Sequence, residues 1–463
     1  MNLDEKKLEQ LLGLVVNELG AASNAALVVL GDRLGLFRAL AERPMTAAEL
    51  ADRTGTHERY VREWLSAQAA SGFVSYEATD DTFSMTPEQS AVFADEDSPV
   101  AMVGGFSLLP AVYHDEPRLA DAFRTGKGLR WSDHCNCMSC GVDRFFRPGY
   151  RAHLIAEWLP ALGGVVEKLE RGAKVADVGC GHGYSTRLMA EAFPNSEFIG
   201  IDYDDASIGC ATAEISGVRN LRYEVARAQD FAGSGFDLVT MFDALHDMGD
   251  PVGAARHIRG ALKHDGTLML VEPTAGDSLA DNLNPVGRVY YAGSTHICLP
   301  TSLSQDVGLG LGAQAGEKRI AQVLRQGGFS QIAKAAGSPF NMILEAGPCR
   351  PRTTRGAAAR SQSGRMLRTQ GENCRDRHHL PPPSRPRLAG RRPVPLVLEA
   401  AGCARPPQMA RILDAHGGGV TEADLRRGLG YCGAAPVHPG DGRNHPYDRL
   451  AAAAKSAHFA AVG

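Results

Sequence analysis

No apolar run in this 463-residue chain approaches the roughly 20 residues needed to cross a bilayer, so nothing in the sequence asks for a membrane. The start, MNLDEKKLEQLL, lacks the basic cluster, compact apolar segment and small-residue stop of a secretory leader. A disulfide framework is missing too. The ten cysteines are scattered along the chain, which fits free thiols in a reducing compartment. A soluble, cytoplasmic protein is expected. Basic charge is scarce in the body of the chain: the net −4 divides into +11 over residues 348–463, with 19 Lys and Arg against 8 Asp and Glu, and −15 elsewhere. Phosphate binding needs concentrated Lys and Arg, so nucleic acid is not the expected partner.

The chain is too long for one ordinary core, and four regions are expected: 1–98, 99–165, 166–347 and 348–463. In the first, Leu8, Leu11, Leu12, Val15 and Leu19 recur at helical spacing and predict a buried face. A second helix runs from about Ala22 to Ala41. Thr46 and Glu49 have the spacing of a capping box for the next helix, which ends at Gly55. The following segment, THERYVREWLSAQAASG, places Tyr60, Val61, Trp64, Leu65 and Ala69 on one stripe, and FVSYE and TFSMT read as short strands. The pattern is a helix-turn-helix with a wing, serving either DNA binding or dimerisation and substrate capping. The second role is expected, because Arg59 and Arg62 alternate with Glu58 and Glu63 and leave no positive face.

Residues 99–165 read as a helical connection. Its run WSDHCNCMSC offers His134, Cys135, Cys137 and Cys140, four soft donors without the paired spacings of a zinc site. A divergent surface loop is expected there, and no metal. After Gly172, strands and helices alternate as in a parallel sheet with crossover helices, an α/β fold: KVADVG, EFIGID, LRYEVA, FDLVTMF and GTLMLVEP, then SQIAKAA and FNMILEA as a closing antiparallel pair. The insertion from Thr274 to Gly316, with Arg288, Tyr290, Tyr291 and His296, is either an acceptor pocket or core under a lid. Residues 348–463 have eighteen Arg, one Lys, three aromatics and half of the chain's 26 prolines. They suit a basic disordered tail or a frameshifted end, and not a packed core.

The chemistry concentrates at the predicted strand ends. VADVGCGHGYS puts Asp177 and the glycines at 179, 181 and 183 between a strand and a helix, where glycine lets a ligand approach the main chain. An acid there suits a cationic amino acid end better than a diphosphate. Asp202, at the end of the second strand, can accept hydrogen bonds from both ribose hydroxyls of an adenosine; Gln229 and Asp230, after the third, can read the adenine amino edge. The fourth strand runs into FDALHDMGDP, and His246 there is suited to removing a proton if a carboxylate orients it. Glu272, in LVEP at the end of the next strand, is the candidate orienter.

Residues 174–347 resemble class I S-adenosylmethionine-dependent methyltransferases. The resemblance implies a Rossmann-like seven-stranded sheet and S-adenosylmethionine as cofactor. It puts Gly179, Gly181 and Gly183 around the methionine part, Asp202 on the ribose and Asp230 near adenine; Asp177, Tyr203, Gln229 and Phe242 are further candidate cofactor contacts. LHDMGD is similar to the LHDW-x-D stretch of plant and bacterial small-molecule O-methyltransferases, which implies His246 as base, Glu272 as its support, a winged-helix dimerisation domain and a homodimer. Met248 stands where that family has tryptophan, which puts the aromatic substrate wall in doubt. A closer likeness is to bacterial winged-helix methyltransferases of unassigned substrate, through THERYVREWLSAQAASG, RFFRPGYR, LHDMGDP, DNLNPVGR and SLSQDVGLGLGAQAGE. Methyl transfer to a small-molecule hydroxyl is therefore expected; a SAM-sensing, DNA-binding regulator is the alternative.

Overall fold

The computed structural model describes residues 3–347, and the expected low-order tail, 348–463, lies outside the described residues. The first helix, α1 (Glu5–Arg33), is a single element of 29 residues where the sequence suggested two. The Ala-rich junction AASNAAL favours continuation, and Asp4 caps the start by accepting the Lys7 N–H at 3.2 Å. The later part of α1 enters a core with Val28. The earlier part does not: Leu8, Leu11, Leu12, Val15 and Leu19 are 40–64 % exposed, so the expected burial is not made among the described residues. By length and composition alone, α1 is long and apolar enough to cross a membrane.

Next come α2 (Leu36–Leu40), α3 (Ala47–Thr54), α4 (Glu58–Ala70), β1 (Ser75–Glu77), β2 (Thr82–Ser84) and α5 (Pro87–Phe93). The Thr46–Glu49 capping box opens α3 in both directions. Val61, Trp64 and Leu65 of α4 are buried, whereas Tyr60, expected in the same stripe, is 80 % exposed. Trp64 fixes this small core by donating its Nε1–H to the Leu27 carbonyl at 2.8 Å and packing edge-on against Phe37. The strands β1 and β2 pair antiparallel as the wing.

The connection contains α6 (Val103–Phe106), α7 (Leu109–Thr125) and α8 (Asn136–His153), followed by a π turn (Leu154–Trp158) and α9 (Val165–Arg171). WSDHCNCMSC is not a surface loop. It opens α8, with Cys135 as cap, and Cys135, Cys137 and Cys140 are half-buried. Arg144 of α8 joins this region to the N-terminal one by pairing with buried Asp32 and with Glu96.

The remainder is a seven-stranded sheet in the order β5-β4-β3-β6-β7-β9-β8. Its strands are β3 (Lys174–Val178), β4 (Glu197–Asp202), β5 (Leu221–Val225), β6 (Phe236–Phe242), β7 (Leu262–Pro273), β8 (Gln331–Gly337) and β9 (Asn341–Gly347). The helices between them are α10 (Tyr184–Ala192), α11 (Asp205–Ala213), α12 (Pro251–Ala261), α13 (Pro285–Gly293), α14 (Leu299–Leu303) and α15 (Gly316–Gln326). The first five strands run parallel, and β9 inserts antiparallel between β7 and β8. Two hydrophobic clusters cover the two faces, which is why β3 and β6 read as apolar runs rather than alternating patterns. Chain order reverses at β3, with β4 on one side and β6 on the other. A crevice therefore opens beyond the carboxyl ends of these strands.

Candidate active site

The crevice holds a cavity of about 570 Å³, a size typical of small-molecule sites. Its floor is the turn from β3 into α10. Gly181 has φ +52° and nothing within 4 Å of a would-be Cβ, so backbone faces open space. Its N–H donates to Asp202 at 2.9 Å. Gly183 caps α10 at φ +74°, and a Cβ there would meet the Tyr223 hydroxyl at 2.2 Å. Gly179 and Gly181 line the cavity; Gly183 serves the turn instead.

Asp177 also departs from expectation. It is fully buried under the loop, where it accepts hydrogen bonds from Ser185, Thr186 and Thr240 at 2.8, 2.6 and 2.9 Å. Burial pushes its carboxyl up to about 6 against those three donors. It does not line the cavity, because a strand residue at this position points into the layer between sheet and helix. Its contribution is to pin the loop to α10 and β6.

Asp202 lines the cavity and accepts a second backbone N–H, from Asp204, at 3.0 Å. Burial raises its carboxyl despite these donors. Tyr203, Gln229 and Phe242 line the same wall, with Gln229 donating to the Asp250 carbonyl at 3.2 Å. Asp230 does not. It turns outward and pairs with Arg227 at the surface, so of the two only Gln229 lines the cavity.

At the other end, His246 and Glu272 come together: Nδ1 lies 2.7 Å from Oε2, and both side chains are buried. Oε1 of Glu272 accepts the Leu245 N–H at 3.0 Å, which locks the carboxylate. His246 is not on the cavity wall, since Asp247 stands between, with Oδ1 3.2 Å from Nε2. Burial disfavours charge on the ring, but the Asp247 and Glu272 carboxylates outweigh it and hold its pKa above the usual imidazole range.

Sequence reasoning missed Asp243. It lines the cavity, takes φ +48° and accepts the Tyr150 hydroxyl at 2.7 Å and the Asn341 amide at 2.9 Å. Burial pushes its carboxyl up to about 7, partly offset by the Tyr150 hydrogen bond. The only local signal was its place just past a strand end in FDAL; Tyr150 and Asn341 are 93 and 98 residues distant. The named residues of the insertion do not form the cavity wall. Arg288 pairs outward with Glu18, Tyr290 is buried with its hydroxyl on the Phe340 carbonyl, and neither Tyr291 nor His296 lines the cavity. The insertion reaches the cavity through Thr301, Ser304 and Gln305 instead.

These features fit S-adenosylmethionine: an open glycine backbone, a carboxylate at the ribose position, and further carboxylates, Asp243 and Asp247, to face a sulfonium and an ammonium. Comparisons with known proteins agree. Residues 169–328 match the methyltransferase domain family, and residues 22–94 match the Rv2258c-like winged HTH domain. The mitomycin biosynthesis 6-O-methyltransferase of Streptomyces lavendulae is 27 % identical over 256 residues, covering 52 % of this chain and 71 % of that relative. A solved O-methyltransferase-like structure from Nostoc punctiforme has a TM-score of 0.55 at 21 % identity, covering 72 % of this chain and 98 % of that one. Human N-acetylserotonin methyltransferase in complex with SAM has a TM-score of 0.55 at 16 % identity, covering 73 % and 98 %. At such identities the two structures speak to fold alone. The chain is an S-adenosylmethionine-dependent methyltransferase, with a winged-helix domain preceding its Rossmann-like catalytic sheet.

Proposed function

We propose that this protein moves the methyl group of S-adenosylmethionine to a hydroxyl oxygen of a small organic acceptor. The observation that carries this reading is the buried His246–Glu272 pair beside the cavity, 2.7 Å apart. The bound cofactor supplies an electrophilic methyl on a sulfonium. Transfer then depends on alignment of the acceptor oxygen with that methyl, and a hydroxyl acceptor must lose a proton. With Asp247 displaced from Nε2, the ring loses one of the two acids that hold it charged, and the neutral His246 takes the proton there; Glu272 holds Nδ1 protonated and the ring in place. The acceptor hydroxyl thus displaces Asp247. The cofactor roles assigned to Gly179, Gly181, Asp202, Tyr203, Gln229 and Phe242 belong to the same reading. Asp177 and Gly183 support the loop, and Asp230 drops out. The name of the mitomycin relative, a 6-O-methyltransferase, favours oxygen over nitrogen or carbon.

The working unit is proposed to be a cytoplasmic homodimer. The apolar face of α1 from Leu8 to Leu19 needs a cover that the described residues do not supply, and a second copy offers an identical face. The divisions at residues 98, 165 and 347 are kept as domain boundaries. The regulator alternative is disfavoured by α4, whose Arg59 and Arg62 are paired with Glu63 and Asp81 and have no charge to spare for phosphates.

The test is a screen of phenols, carboxylates and amines for S-adenosylhomocysteine release by the purified chain. Turnover confined to hydroxyl acceptors supports the proposal; turnover on amines alone, or sequence-selective DNA binding without turnover, overturns it.

A further inference from the structure

We propose that His246, Asp247 and Cys298 form a binding site for one zinc-class divalent cation at the acceptor end of the cavity. One donor atom from each lies within 4.8 Å of the other two. An imidazole nitrogen, a carboxylate oxygen and a thiol sulfur are a borderline-soft set, suited to Zn²⁺ and unsuited to Mg²⁺ or Ca²⁺. His246 has the support expected of a metal-binding histidine. Glu272 occupies Nδ1 at 2.7 Å and leaves Nε2 facing the cluster.

Two further observations point the same way. Cys298 closes a π turn, Ser294–Cys298, a rare backbone form that concentrates at functional sites; it brings a buried thiol against the histidine. His134 is buried with Nδ1 on Asp115 at 2.9 Å, and its Nε2 has no hydrogen-bond partner. The same ring lies near enough to Asp247 to help lower its carboxyl pKa against burial. Three protein donors leave a fourth position, and Asp247 lies on the cavity wall, where that position opens. No spacing in the sequence announces this set, because Cys298 comes from the insertion, more than fifty residues after His246. HCNCMSC is the more conspicuous run and is not part of it.

Binding makes one metal–sulfur, one metal–nitrogen and one metal–oxygen bond; the Cys298 S–H and the Nε2–H of the charged His246 ring give their protons to solvent, and nothing is oxidised or reduced. An occupied site also ties up the Nε2 lone pair, so the cation would block hydroxyl deprotonation. That consequence rests on the proposed role of His246, while the site itself does not.

The experiment uses the chelator-treated full chain with Co²⁺ and Zn²⁺, without acceptor. One equivalent of Co²⁺ should give a thiolate-to-cobalt charge-transfer band that Zn²⁺ displaces. The band should persist when Cys135, Cys137 and Cys140 are all changed to Ser. In Cys298→Ser it should vanish, and Zn²⁺ affinity should fall at least about 10-fold, with S-adenosylmethionine binding retained as the check on folding. Zinc-edge X-ray absorption on the unmodified chain reads the same site without any variant: one sulfur among nitrogen and oxygen neighbours is expected. No stoichiometric binding, a band unchanged in Cys298→Ser or lost in the triple variant, or two or more sulfurs at zinc overturns the proposal. None of these readouts depends on methyl transfer, so failure of the site and failure of the hydroxyl-transfer reading are distinguishable.

Discussion

The Nδ1 atom of His246 lies 2.7 Å from Oε2 of Glu272, joining the turn after β6 to the end of β7. If the pair is the base and its support, His246→Ala lowers turnover on a hydroxyl acceptor by about 10²–10⁴-fold. Affinity for S-adenosylmethionine stays unchanged, as measured by calorimetry. Full turnover in this variant would leave His246 without a role in proton removal.

Asp202 and Asp230 should separate cleanly. Asp202→Ala removes a carboxylate from the cavity wall, and losing charged hydrogen bonds of about 1.5–3 kcal/mol weakens cofactor binding roughly 10–100-fold. Asp230→Ala, outside the wall, leaves it unaltered. Equal losses in both would contradict the placement of Asp230.

Asp243 predicts a pH dependence. Its carboxyl sits at about 7 among Tyr150, Asn341, Glu272 and His246, and a cationic cofactor favours the ionised form. Binding therefore lowers its pKa and releases a proton. Affinity for S-adenosylmethionine should rise from pH 6 to 8, by about tenfold per unit at most, and Asp243→Asn should flatten that slope. A slope of the same steepness in the variant assigns the titration elsewhere.

Gly183→Ala tests the loop. The substitution forces φ +74° on an alanine and drives its Cβ into the Tyr223 hydroxyl, costing about 1–3 kcal/mol. Denaturant titration should show a lower midpoint. An unchanged midpoint would mean that the turn adapts.

The exposed face of α1 predicts a dimer. Leu11→Glu combined with Val15→Glu should convert it to a monomer in light scattering. A variant that stays dimeric moves the interface elsewhere, and binding of the unmodified chain to lipid vesicles would give the face to a membrane.

Much of this protein is legible in its residue pattern. The inner strands β3, β4, β6, β7 and β9 are marked by apolar runs, because burial on both faces leaves little room for polar residues, whereas the edge strands β5 and β8 are largely exposed and carry a weaker signal. The capping box at Thr46 and Glu49 and the buried Val61, Trp64 and Leu65 are legible for a related reason: short-range spacing fixes them. Asp202, Gln229, His246 and Glu272 can be named because the ends of neighbouring parallel strands converge on one crevice.

What the sequence could not show is where each of those side chains points. Asp177 and Asp202 both stand near strand ends, yet one is sealed under the loop and the other lines the cavity, since Asp177 pairs with Gly200, two residues short of Asp202, and the glycine loop and α10 close over it. Asp230 faces outward from the turn after β5, where Arg227, three residues earlier, pairs with it. Tyr150 and Asn341 reached Asp243, and Cys298 reached His246, only when distant segments packed together. The sequence by itself determined the elements, the sheet and the cofactor loop, which depend on local periodicity and glycine geometry. Tertiary structure alone decided which carboxylates face the cavity, and that His246 lies behind Asp247 between two acids, because long-range packing sets such contacts and leaves no spacing along the chain.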